Sequence, residues 1–392
     1  MATGLRIPAA SPHRLGANPR RDFALFAWLP GVLTCGLLVF LVGHHQFAFD
    51  FSREYWVAAS RLLHGGSTYS WSPAQIASDI AYPYPAPATL LFVPFALLPR
   101  TLGSVLWTVI CIACPAGALR VLDVRDWRLY GLVLLWAPVV AGWQSANLTL
   151  PLVLALALVW RHRDRPLVAG LLTAGIVTLK PFLWPLALWL LATRRHRAGG
   201  ACAAGALCAS AVAWAAVGVS QIGAYLRLDD RVTSAHYVTS YGVLGVANAL
   251  GADRLAGAVA LVMLAAALVV ACVSLGRRDE WGALSVCLIA ALIASPLVDT
   301  HYFALLLVPL AIRRPRLALE WLLPLALWLC PETASAGWQL FVAWATSVTV
   351  IVLLARPARP ARPAGPARPA DGSSALPGRV ESPCAMSPST TR

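Results

Sequence analysis

The chain has 392 residues, 59% of them hydrophobic and only 12% charged, with a mean hydropathy of +0.68. A soluble domain is nearer ~45–50% apolar and about 25% charged, so a water-soluble globular fold is excluded. The net charge of +14 sits in short arginine clusters between apolar stretches, not on a basic face with interleaved aromatics, so nucleic-acid binding is not supported.

Apolar stretches of membrane-spanning length recur along the chain and predict an all-α polytopic membrane protein of about twelve transmembrane helices. A transmembrane barrel would need short alternating segments instead. The arginine clusters set the topology, because short cytoplasmic loops collect arginine and lysine. They are a basic arm over residues 1–21, then 120–128, 161–165, 194–197, 277–280, 313–316, and a Pro/Ala/Arg tail over 356–392. Both termini are thus predicted to be cytoplasmic. The tail has too little apolar content to fold and is expected to be disordered. No small-residue cleavage site follows the first apolar run, so it reads as a retained helix. Residues 22–355 form the single membrane domain.

The first span, about residues 23–43, leads to an extracytoplasmic loop over 44–86. There Phe51, Tyr55, Trp56, Ala59, Leu62 and Leu63 fall at helical spacing, with Arg53, Glu54 and Arg61 between them. This is the pattern of an amphipathic helix lying on the membrane surface. Asp50 immediately precedes it. An aspartate there either caps the helix or stands at the membrane boundary as a general base. In "AYPYPAP" (81–87) the prolines force an extended chain. Tyr82 and Tyr84 are then interfacial anchors or stacking surfaces for a sugar. Residues 87–99 are too short and proline-rich for an easy span and read as a re-entrant or interfacial segment. Residues 101–120 return to the cytoplasm. Cys111 and Cys114 lie within that span without a second ligand pair, and most other cysteines also read as apolar packing residues.

Three hairpins follow: 129–160 with "GWQSAN" at its tip, 167–193 with Lys180-Pro181 at its tip, and 281–312 with "SPLVDTHY" at its tip. Between the second and third, span 198–219, loop 220–253 and span 254–275 complete another excursion. A last pair, about 317–331 and 338–355, ends in the cytoplasm. Several hairpin arms are shorter than the ~20 residues a straight span needs, so their tips stay at membrane depth. Irregular backbone there is tolerated only where it is buried in protein or lines a wet cavity. A polar vestibule walled by hairpin tips is therefore expected on the outer side. Gln144 and Asn147 at one tip either bond a sugar or satisfy broken backbone. Asp299 and His301 at another either clamp a phosphate and orient a base, or form a structural pair.

Lys180 stands apart. It is the only lysine, the other 30 basic residues being arginine, and it lies within an apolar segment before a proline. A cation there is by default functional. Snorkelling to the interface would be served equally by arginine, whereas lysine offers a compact point charge for a phosphate.

In order and spacing these landmarks resemble glycosyltransferase family 87, the polyprenol-phosphate-mannose-dependent mannosyltransferase-like proteins with a GT-C-type membrane fold. The resemblance covers about residues 22–355. It is carried by Asp50 with "YWVAASRLLHGGSTY" after it, "YPYPAPATLLFVPFALLP", the Gln/Asn turn, "LKPFLWPLALWLLATRR" and "SPLVDTHYFALLLVPL". The family turn usually reads Gly-Gln-x-Asn, whereas here Asn147 comes one place late. In the late motif Val298 and Asp299 replace Ser-Trp, and Tyr302 replaces a second histidine.

The resemblance implies a polyprenyl-phosphate sugar donor and a glycolipid or cell-envelope glycan acceptor. The active site would face the outside of the inner (plasma) membrane, and transfer would invert the anomeric centre. Asp50 would be the general base, and Lys180 with His301 the donor-phosphate grip. Tyr82, Tyr84, Gln144, Asn147 and Asp299 would bind substrate. No cofactor or metal is indicated: adjacent Asp229 and Asp230 lack the spacing of a DxD triplet. The same fold moving another lipid-linked sugar, such as arabinofuranose, and a lipid-linked-sugar transporter or flippase are the alternative readings.

Overall fold

A computed structural model describes residues 19–276 and 278–355. The predicted arm and tail, apart from residues 19–21, lie outside the described residues, as does Arg277. All regular structure among the described residues is helical. Among the described residues, five helices are long and apolar enough to cross a membrane: Pro19–Gly43, Arg100–Val121, His196–Val217, Arg254–Gly276 and Gly337–Ala355. A sixth span results if Ala137–Gln144 and Thr149–Arg161, bent by 120°, are taken together. The expectation of about twelve spans is therefore not met by length. The remaining apolar helices stop at 10–17 residues, because Pro, Gly or polar breaks end them before they reach bilayer thickness. The segment expected to span at 317–331 is instead a tight helix, Leu319–Leu329, with Pro324 inside it.

The long helices are apolar all round yet little covered by protein. In Arg254–Gly276 only 6% of the most apolar window is buried, and Val262 and Met263 point outward. Such surface is compatible with lipid and not with water. Where helices do pack, small residues set the approach. A Cβ on Gly170 would lie 2.5 Å from the carbonyl oxygen of Ala198 in the neighbouring helix. A Cβ on Gly131 would lie 1.7 Å from that of Phe26. Close backbone approach of this kind is how helices gain contact where the hydrophobic effect is weak.

The arginine-rich loops meet at one end of the molecule. Asp22 pairs with Arg128 at 3.5 Å, Asp123 with Arg161 at 2.8 Å, and Asp279 with Arg313 at 3.5 Å. Arg195 contacts both Asp164 and Glu280 at 2.8 Å, and Arg163 contacts Glu280 at 3.2 Å. These pairs join the two ends of 129–160, of 167–193 and of 281–312, so each segment goes out and comes back. Each exposed pair contributes little stability alone. Their value here is geometric: every hairpin tip is left at the opposite end.

At that opposite end the first loop packs one face of its helix on protein, while Leu63 stays exposed. Phe51–Tyr55 forms a π-type turn that runs into helix Trp56–Leu63. Its apolar face turns into the protein: Phe51 and Tyr55 are fully buried against Phe92, and Phe51 also stacks on Trp107. The short helix Ala86–Ala96 supplies the surface it packs on. The loop after Val217 docks on the first loop, where the Gln221 side-chain oxygen accepts from Ser67 Oγ at 3.0 Å and from Thr68 N–H at 3.1 Å.

Candidate active site

The tip of the first hairpin and the start of the first outer helix are stitched together by backbone. Ala48 N–H donates to the Gln144 carbonyl at 3.1 Å, and Asp50 N–H to the Ser145 carbonyl at 2.9 Å. Trp107 Nε1 donates to the Ala146 carbonyl at 2.9 Å. Ala146 takes a positive φ of 57° at this turn, which swings Asn147 back towards Asp50. Asn147 Nδ2 then donates to Asp50 Oδ2 at 2.6 Å. The Asp50 carboxylate makes no capping bond to the helix it precedes. Of the two roles open to it, side-chain capping is the one the geometry removes.

Asn147 carries the connection further. Its Oδ1 accepts from Lys180 Nζ at 3.1 Å and from both N–H and Oγ1 of Thr149, at 2.9 and 2.8 Å. Thr149 Oγ1 accepts in turn from Lys180 Nζ at 2.8 Å. Lys180 is 3% exposed, in extended backbone between Leu179 and Pro181, with its ammonium 3.9 Å from the centre of the Tyr302 ring. An ammonium has three donors, of which these oxygens use two. A single polar chain, Asp50–Asn147–Lys180, thus joins the first outer loop to two hairpin tips, 97 and then 33 residues further along the sequence.

These residues line a cavity of about 620 Å³. Asp50, Tyr84, Gln144, Asn147, Lys180, Asp299 and His301 all reach it. Tyr82 does not. It is 4% exposed, its hydroxyl accepts from Thr89 at 3.1 Å, and its ring packs against Tyr69 and Tyr55. Of the two tyrosines only Tyr84 lines the cavity. Tyr82 is a core residue, not a sugar platform.

Glu54, Asp79, Asp229 and Glu332 also line the cavity and were not among the site residues read from sequence. Glu54 is 8% exposed and stands four residues after Asp50, on the same face. Read as part of a solvent face, it is turned inward with the rest of its helix. Glu332 lies in the short break between Leu319–Leu329 and Gly337–Ala355, and its carboxylate meets His301 Nδ1. An isolated acid inside the last apolar pair was the available signal. His301 is itself buried, and its Nε2 has no hydrogen-bond partner among the described residues.

Burial dominates the electrostatics. It pushes the Asp50 carboxyl up to about 6, against the opposing influence of His301 and of the Asn147 hydrogen bond. Burial also raises Glu54, and the neighbouring Asp50 adds to this. Asp299 is raised by burial too. A carboxyl near 6 is still ionised at neutral pH and is a stronger base than an exposed one, which suits it to take a proton.

The family model described as glycosyltransferase family 87 matches residues 82–298, more than half of the chain. This chain belongs to glycosyltransferase family 87. The family protein in hand is also similar along most of its length to two curated mycobacterial proteins. One, from Mycobacterium tuberculosis (strain CDC 1551 / Oshkosh), is 28% identical over 76% of this chain and 72% of its own length. The other, from Mycolicibacterium smegmatis (strain ATCC 700084 / mc(2)155), is 27% identical over 77% of this chain and 76% of its own length. Each is named a polyprenol-phosphate-mannose-dependent alpha-(1-2)-phosphatidylinositol pentamannoside mannosyltransferase. No solved structure matches the chain.

Proposed function

We propose that this family 87 glycosyltransferase moves a sugar, mannose by analogy with the relatives' printed names, from a polyprenyl-phosphate donor to a hydroxyl of a glycolipid or cell-envelope glycan. The observation that carries the reading is the Asp50–Asn147–Lys180 chain at the cavity. It holds a base at one end and a phosphate-sized cation site at the other.

The reaction needs those two functions and little else. Asp50 accepts the proton of the acceptor hydroxyl as its oxygen attacks the anomeric carbon. The bond from that carbon to the phosphate oxygen breaks on the opposite face, so the configuration inverts. The leaving polyprenyl phosphate takes up the bonding pair and gains negative charge. Lys180, with one donor unspent, stabilises that charge where it develops. No general acid is required, because the leaving group is already a stable anion. Tyr84, Gln144 and Asp299 bind the sugars. The cavity lies at the end of the molecule away from the arginine loops. The positive-inside rule then puts the chemistry on the extracytoplasmic face of the inner membrane and both termini in the cytoplasm.

The test is transfer of radiolabelled mannose from polyprenyl-phosphate-mannose in membranes holding matched amounts of wild type and Asp50→Asn. Transfer by wild type and a loss of about a hundredfold or more in the variant supports the assignment. Equal transfer by both removes Asp50 from the chemistry. No transfer by wild type from this donor, with transfer from another polyprenyl-phosphate sugar, removes mannose and keeps the reaction type.

A further inference from the structure

Glu54 is the most deeply buried acid among the described residues, at 8% exposed. Its carboxyl lines the cavity, yet no hydrogen bond or ion pair reaches it from any described residue. The other polar groups of the same turn are paired. Tyr55 Oη donates to Tyr84 Oη at 2.9 Å, Ser52 Oγ to the Phe49 carbonyl at 3.4 Å, and Arg53 to the His45 carbonyl at 3.5 Å. Asp50 is held by Asn147, and Glu332 by His301. A carboxyl taken out of water and left without a partner is costly. A polar ligand in the cavity would satisfy it.

The place of Glu54 says which ligand. It stands four residues after Asp50, and both side chains line the cavity. Asp50 is also the charged group that acts on it most strongly, ahead of Asp79, Asp299 and Lys180. In the proposed reaction Asp50 meets the attacking hydroxyl, while Lys180 takes the phosphate on the far side of the anomeric carbon. A group beside Asp50 therefore meets the acceptor and not the donor phosphate. A carboxyl bonds sugar hydroxyls in either protonation state: ionised it accepts from them, and protonated it also donates. Among the described residues no arginine lines the cavity, and Lys180 is its one lysine. An acceptor sugar bearing its own carboxylate or phosphate would stand against two acids, with that lysine engaged at the donor phosphate. An uncharged sugar meets no such repulsion.

We propose that Glu54 binds the acceptor, holding a hydroxyl of its terminal, uncharged sugar next to the hydroxyl that Asp50 deprotonates. Two carboxyls then hold two hydroxyls of one ring. One hydroxyl is the nucleophile, and the other fixes how the ring lies. The ring can present only one of its hydroxyls to Asp50, so Glu54 determines which position receives the sugar. An acceptor lacking the gripped hydroxyl leaves the buried carboxyl unpaired, and the site rejects it for that reason. The acceptor role rests on the transferase reading given above.

The experiment uses the full chain in lipid nanodiscs, with polyprenyl-phosphate-mannose as donor and methyl α-mannoside as acceptor, alongside analogues of that acceptor each lacking one hydroxyl. Glu54→Leu should raise the acceptor KM by about tenfold or more and leave the donor KM within about twofold. Glu54→Gln keeps a hydrogen-bonding head of the same shape and should raise the acceptor KM less. With wild type, one deoxy analogue should lose about tenfold or more in kcat/KM; with Glu54→Leu, that analogue should serve as well as the parent acceptor. A merely structural glutamate would not produce that match. Thermal unfolding shows which variants are folded. If Glu54→Leu is not, the same comparison is made with Glu54→Gln, where discrimination against the analogue should shrink by about threefold or more. An unchanged acceptor KM in folded Glu54→Leu overturns the proposal, as does a deoxy series whose losses are the same with and without Glu54. Either result leaves the transferase reading standing. Methyl mannuronoside used as well as the parent removes the preference for an uncharged sugar. If wild type transfers from no polyprenyl-phosphate sugar, the transferase reading falls. The sugar contact then stands only if methyl mannoside raises the thermal midpoint of wild type and not of Glu54→Leu.

Discussion

Asn147→Ala tests the polar chain at its middle link. The substitution removes the donor to Asp50 and the shared acceptor of Lys180 and Thr149. The bond to Asp50 favours the ionised carboxylate, so losing it raises the carboxyl above its present value of about 6. A hydrogen bond to a charged group is worth about 1.5–3 kcal/mol. At about 1.4 kcal/mol per pKa unit, this moves the carboxyl to roughly 7–8. A base acts only when ionised, so kcat/KM should fall with decreasing pH through a limb near 6 in wild type and through a limb one to two units higher in the variant, as about 1.4 kcal/mol per unit requires. At pH 7 the ionised fraction drops from about nine-tenths to between a half and a tenth, a rate loss of about two- to tenfold that higher pH restores. The assay is transfer from polyprenyl-phosphate-mannose in proteoliposomes across pH 5–9. A variant whose activity is reduced equally at every pH, with its acid limb unmoved, would refute the link between Asn147 and the base. The shape of the profile answers the question even if the variant is made in lower yield.

Three further outcomes follow from the same geometry. Lys180→Arg should not substitute for the wild type: the buried ammonium sits between Asn147, Thr149 and the Tyr302 ring, where a guanidinium does not fit, and transfer should fall by about a hundredfold, measured as kcat at saturating donor. Tyr82→Phe should lower stability by about 1 kcal/mol through the lost Thr89 bond while changing transfer less than about twofold, whereas Tyr84→Phe, at the cavity, should change KM for a substrate. Gly131→Ala pushes a methyl group into the Phe26 carbonyl and should destabilise by about 3 kcal/mol, seen as a lowered thermal midpoint in detergent.

Much of the site is legible in the sequence because membranes make polar groups conspicuous. Asp50, Asn147, Lys180, Asp299 and His301 each stand at a break in an apolar run, where polar residues are conspicuous. The arginine clusters likewise reveal which loops share a face, and the ion pairs among them agree. The number of spans is less legible. Composition reports that an arm is apolar but not that a proline or lysine ends it short of the bilayer's thickness.

What composition and spacing determine here is where polar groups interrupt the apolar runs of a membrane protein. What only the tertiary structure decides is which interruptions meet. The helix at Trp56–Leu63 has an apolar face whichever surface it covers. Phe51, in the turn that leads into it, packs on Phe92 and Trp107, and the same turn brings Glu54 to the cavity. Tyr82 and Tyr84 sit two residues apart in one extended segment, yet Tyr82 packs into the core beside Thr89 and Tyr84 reaches the cavity. Glu332 reaches His301 because backbone bonds lay its loop against residues 299–301, a pairing that no local pattern records.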